Sequence, residues 1–162
     1  MRTSRNVLFG LVALLFAAQA RAAYPLVSTV TVAGSGGGLD YAKALAQDAS
    51  GYLFVAGSLI QGGAEDVWVA KYSPDLVLLS SYTYDQSGFA DEAWAVGVDT
   101  QSGAVYAAGF VSSAGTYAGR NIWIGKFDSN LVLLATVAVN GSGNDWDEAN
   151  GLRVYGGSVY VV

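Results

Sequence analysis

The 162-residue chain has no cysteine, no histidine, two prolines, one methionine, and eight basic residues against 13 acidic ones. Each shortage closes a route. Without cysteine, disulfides play no part. Without histidine there is no Ser-His-Asp or Cys-His nucleophile, no usual zinc site, and no access to the commonest general base. Few basic residues disfavour nucleic acid, whose phosphates need Lys and Arg, and disfavour anionic membrane surfaces equally. Low proline beside 21 glycines, with frequent Val, Tyr, Phe, Trp and Thr, reads as an all-β chain with many turns. No long segment of period 3.6 follows the first two dozen residues.

The N-terminus reads as a targeting segment. "MRTSRN" is a positive n-region carrying Arg2 and Arg5, and "VLFGLVALLFAA" is an apolar run too short to span a membrane comfortably. Ala18-Gln19-Ala20 and Ala20-Arg21-Ala22 offer cleavage signals. Residues 1–22 are therefore expected to be a signal peptide. The expected product is exported to the periplasm, cell surface or medium, with no membrane insertion after cleavage. Losing Arg2, Arg5 and Arg21 leaves five basic residues against 13 acidic, a formal charge of −8. That acidity serves solubility and names no partner.

What the rest contains is repetition. "WVAKYSPDLVLL" begins at Trp68, and "WIGKFDSNLVLL" begins at Trp123, 55 residues on. Around each phrase the same neighbours recur in the same order. "AKALAQ", "YLFVAGS", "DVWVAKY" and "LVLLSSYTY" are answered by "AWAVGV", "AVYAAGF", "NIWIGKF" and "LVLLATVAV". This predicts two four-stranded antiparallel meanders, with "LIQGGAE" as a loop and with the turns "DASG", "SPD", "DTQSG" and "DSN". Strands carrying Trp68, Ala70 and Tyr72 on one face and Val67, Val69 and Lys71 on the other must be covered on both sides, which stacked neighbouring sheets would do. Gly57 and Gly109 are expected to end the second strand of each unit where sheets crowd a central axis. "LVSTVTVAGSGGGLDYA" matches the fourth strand and exit of a unit, and "GSVYVV" matches "GAVYAA". The expected fold is thus all-β, a β-propeller-like run of tandem four-stranded antiparallel blades, about two and a half of them. Residues 23–162 form the partial propeller. Residues 23–39 are a lone outer strand and linker, 40–89 the first blade, 90–144 the second, and 145–162 the start of a third. Such a piece is expected to be a truncated part of a longer propeller. Its end sheets would each keep an uncovered face, so self-association or marginal stability is expected.

The phrases "DASGYLFVAG" and "DVWVAKY" resemble the bacterial β-propeller repeat, the SBBP repeat of exported and surface proteins. Asp48, Gly51, Phe54, Val55 and Gly57 match its hairpin pattern in the first unit. Asp99, Gly103, Tyr106 and Gly109 match in the second. The turns "SPDL" and "DSNL" depart from the Gly-Asn usual in that family. The resemblance implies a propeller fold and no single activity.

Few residues invite chemistry. "GSGGG" at 34–38 lacks the Lys-Ser/Thr and helix of a phosphate loop and reads as a connection between blades. The pairs Asp91-Glu92 and Asp147-Glu148 invite comparison with the two carboxylates of a glycosidase, but adjacent residues on an extended chain point apart. They read as loop-ordering groups and as candidates for calcium contact; no other cofactor is expected. Asp48 and Asp99 read as side-chain caps on turns. Lys71 and Lys126 read as snorkelling along a sheet edge, and Trp68 and Trp123 as packing between blades. Trp94 and Trp146 are not equivalent, sit near blade-connecting loops, and are the candidates for contact with a protein or glycan. The expected function is a non-enzymatic binding or scaffold module. The alternative is the N-terminal part of a propeller enzyme, acting on polysaccharide or a peptide-like substrate, with its catalytic residues in other blades.

Overall fold

The computed structural model describes residues 30–113, 119–143 and 145–162. The expected signal peptide, residues 23–29 of the expected outer strand, and the middle of the 113–119 connection lie outside them. All described regular structure is strand. β1 (Tyr41–Gln47), β2 (Leu53–Gln61), β3 (Ala64–Tyr72) and β4 (Leu78–Tyr84) form one antiparallel sheet in chain order. β5 (Glu92–Val98), β6 (Val105–Ser112), β7 (Arg120–Phe127) and β8 (Leu133–Val139) form a second sheet of the same order. β9 (Leu152–Tyr155) and β10 (Ser158–Val161) make a hairpin.

The sheets stack face to face. One core joins Phe54, Val67 and Val69 of the first to Val105, Trp123 and Phe127 of the second, all essentially inaccessible to solvent. Tyr82 meets Phe127 edge-on at 4.9 Å, and Tyr84 stacks on Trp123 at 6.1 Å. So β4 of the first sheet packs against β7 of the second, and β5 touches β1, β2 and β3 on the first sheet and β9 of the hairpin. β3 is buried on both faces, as its two apolar stripes require. β8 is almost wholly exposed.

Two turns explain why "SPDL" and "DSNL" need no glycine. Leu76 and Leu131 both adopt left-handed φ, 62° and 65°. Each turn closes on a side-chain acceptor at its first residue: the Ser73 hydroxyl takes the N–H of Val77, and the Asp128 carboxylate takes those of Asn130 and Val132. The backbone strain, of order 1 kcal/mol, is offset at Leu131 by burial in the shared core. The expected caps at Asp48 and Asp99 are present, each accepting backbone N–H groups two residues or more ahead. The Ser102 hydroxyl, followed by the Gln101 N–H, holds the Asp99 carboxyl below its ordinary range.

Three expectations change. "LIQGGAE" is not a loop: β2 continues to Gln61, and a two-residue turn with positive φ at Gly62 and Gly63 starts β3 at Ala64. Gly57 and Gly109 lie within β2 and β6 rather than at their ends, and face bulges in β1 and β5. Lys71 does not snorkel. It is buried, lies over the Tyr52 ring at 4.5 Å, and donates to the Ser129 carbonyl of the second sheet at 2.7 Å. Lys71→Met keeps the apolar stem but orphans that carbonyl, so a loss of about 1–2 kcal/mol is expected in urea unfolding. The same change at half-buried Lys126 should be near neutral. In addition, residues 30–34 have no strand partner among the described residues, although Val32 packs with Trp68 and Tyr72 as Tyr84 packs on Trp123.

Candidate functional site

The site is built on three short stretches with one pattern: Leu39 to Ala44, Ala90 to Ala95, and Trp146 to Gly151. An aspartate is the second residue of each, and an alanine is the fourth.

The aspartates face inward. Asp40 accepts the N–H of Gly34 at 2.8 Å and of Ile60 at 2.9 Å. Asp91 accepts the N–H of Gln86 and, at 2.7 Å, of Ser112. Asp147 accepts the N–H of Gly141 at 2.6 Å. The main chain joins in: Asp91 N–H donates to the Glu65 carbonyl at 2.7 Å, and Asp147 N–H to the Arg120 carbonyl at 3.2 Å. The Asp40 and Asp91 carboxylates therefore tie the connection entering an inner strand to its sheet, while Asp147 holds its connection with its carboxylate and reaches β7 through its main-chain N–H. Asp91 is fully buried, and burial pushes its carboxyl up to about 7, aided by nearby Asp85 and Asp66 and opposed by its two N–H donors. Burial, then Asp85, also raises Asp66.

The alternate positions face outward, and bulges aim them. In β1 the register jumps between Ala42 and Ala44, leaving Lys43 as the extra residue; in β5 it jumps between Ala93 and Ala95, leaving Trp94. Gly57 and Gly109 make the jumps feasible. A Cβ on either would lie within 2 Å of the carbonyl oxygen of Tyr41 or Glu92.

The outward residues are linked into one row over the fully buried Phe110. The Lys43 ammonium lies 4.5 Å from the Tyr41 ring centre and 5.8 Å from that of Trp94, and pairs with Glu92 at 3.1 Å. Glu92 also accepts the Trp94 indole N–H at 2.9 Å. Trp94 meets Phe110 edge-on at 5.3 Å. The Arg120 guanidinium lies 3.9 Å from the Phe110 ring centre and 4.7 Å from that of Trp146, and pairs with Glu148. Tyr41 is 40% and Trp146 50% exposed.

So the structure brings Trp94 and Trp146 into one row through Phe110 and Arg120, which sequence reasoning passed over. It separates the two members of each acidic pair: Asp91 and Asp147 bond to backbone, while Glu92 and Glu148 join the row. Among the described residues no group of three or more carboxylates, cysteines or histidines is placed to hold a metal ion. Asp40 was also missed, although the shared x-Asp-x-Ala phrase carries its signal. A groove of about 300 Å³ adjoins Tyr41 on the outer face of the first sheet, lined by Val32, Asp40, Leu59, Trp68 and Tyr72. On the second sheet the corresponding face, with Trp123 and Phe127, is filled by the first sheet.

Stacked antiparallel four-stranded sheets, blade-like in form, define the class of fold. No family model matches the chain, and no curated protein is similar to it.

Proposed function

We propose that the chain is an exported, non-enzymatic repeat protein of the β-propeller kind, a binding or scaffold module acting in the periplasm, at the cell surface or outside the cell. The observation that carries the reading is the row from Tyr41 to Trp146: two exposed aromatic rings, each held beside a cation that is paired with a carboxylate, an arrangement that suits recognition. The paired faces support the ring. Since the Trp123 face is covered by a sheet of the same type, the Trp68 groove is expected to be covered by another such sheet, which would bury its apolar lining. The similarity to the SBBP repeat, carried by Asp48, Gly51, Gly57 and their counterparts, points the same way.

The test is retention on cell-envelope material. Fluorescently labelled protein should bind envelope fractions saturably, and the double variant Tyr41→Ala/Trp146→Ala, with an unchanged circular dichroism spectrum, should lose about tenfold in affinity or more. Absent retention, or equal retention by the variant, overturns the reading.

A further inference from the structure

We propose that the row is a carbohydrate-binding surface for an extended neutral oligosaccharide; the proposal rests on the reading of the row as a binding face. The first ground is charge. The two cations, Lys43 and Arg120, are each paired with a carboxylate, Glu92 and Glu148, and each lies over aromatic rings. The four charges cancel, so a phosphate or polyanion finds no unneutralised partner. The second is the pairing of surfaces. A sugar ring offers an apolar C–H face and a rim of hydroxyls. Tyr41 and Trp146 offer exposed aromatic area, and the carboxylates and guanidinium beside them offer charge-assisted hydrogen bonds to hydroxyls. The third is shape. The two exposed rings, Tyr41 and Trp146, stand at opposite ends of the row, with the paired charges between them and Phe110 buried beneath, which suits a chain of sugar units better than a single one. The fourth is anchoring. Lys43 and Trp94 are fixed by bulges, Glu92 stands beside buried Asp91, and Trp146 is bridged to Arg120 of β7, so little ordering is needed on binding. The pattern also separates framework from reading head: Asp40, Asp91 and Asp147 recur, while the fifth position differs in each stretch (Lys43, Trp94 and Asn150) and the third is Tyr41 in one and glutamate in the other two (Glu92 and Glu148).

The test titrates the full chain with cello-, manno- and chitohexaose, following tryptophan fluorescence and calorimetry, with hexagalacturonate and a neutral peptide as controls. At least one neutral hexaose should bind saturably, weaken about tenfold or more in Trp146→Ala, and recover in part in Trp146→Phe, which restores a ring. Tyr41→Ala should weaken it too, and hexagalacturonate should not compete. No saturable binding by any neutral hexaose, equal binding by Trp146→Ala, or row-dependent binding of the peptide alone overturns the proposal. If envelope retention still depends on Tyr41 and Trp146 while neutral hexaoses neither bind nor compete, the sugar assignment fails and the binding-face reading stands.

Discussion

Gly109→Ala is expected to cost about 3 kcal/mol or more, enough to unfold a large part of the population of a domain of ordinary stability. The added Cβ would lie 1.9 Å from the Glu92 carbonyl oxygen and 2.9 Å from the Ala93 Cα. Both are backbone atoms, so no rotamer change makes room. Either β5 is pried from β6, or the bulge at Trp94 is lost and the register slips. Loss of the bulge would put the two halves of β5 out of phase, turning either Ala93 or Val96 away from the core that now buries both. Gly57→Ala should behave alike, since its Cβ would meet the Tyr41 carbonyl at 1.8 Å. Gly103→Ala is the control. Its φ is +74° but nothing lies within 4 Å of an added Cβ, so it should cost only about 1 kcal/mol. Urea midpoints of the three variants against the parent decide the matter. A Gly109→Ala midpoint at or above that of Gly103→Ala would contradict the role given to the bulge.

Much of the fold was legible because the strands announce themselves twice. The Trp68 and Trp123 phrases alternate so that both faces are apolar, and only stacked sheets bury both. The extent of β2 was less legible. Leu59 to Gln61 read as part of the loop around Gly62-Gly63, yet that pair is a two-residue turn that lets both strands run on. The left-handed Leu131 was illegible for another reason: local propensity argues against it, and burial in a core assembled from distant residues overrides that. The candidate row was legible only in its outer members. Trp94 and Trp146 stood out as aromatic residues near connections, but Phe110 and Arg120 come from β6 and β7 and reach the row only once those strands pair with β5 in one sheet. Lys43 needed the bulge, whose signal is a glycine on the partner strand. Asp40 was within reach, since its phrase matches those of Asp91 and Asp147.

Asp91 provides the second large effect, and it has a pH signature. Asp91→Ala removes the acceptor of the Gln86 and Ser112 N–H groups at a fully buried site. Two orphaned donors should cost about 3 kcal/mol or more. Asp91→Asn keeps one acceptor but sets an amide N–H₂ against the other donor, and about 2 kcal/mol is expected. The pH dependence follows from the direction of the shift. The carboxyl titrates near 3.8 when unfolded and is pushed up to about 7 when folded, first by burial. The folded state therefore holds the proton more tightly. Its contribution to stability is complete below 3.8 and drains away as pH rises toward 7, by roughly 2–4 kcal/mol. Above 7 it is flat. Asp66, also raised by burial, adds a smaller slope of the same sign, and so does the repulsion of an acidic surface. Those contributions persist in Asp91→Asn, whereas the Asp91 part does not. Unfolding free energies from pH 4 to 8 should thus fall steeply for the parent and gently for Asp91→Asn, the two curves drawing closer as pH rises. Parallel curves would show that the carboxyl titrates alike in both states, and that the joint between the sheets does not keep Asp91 from water.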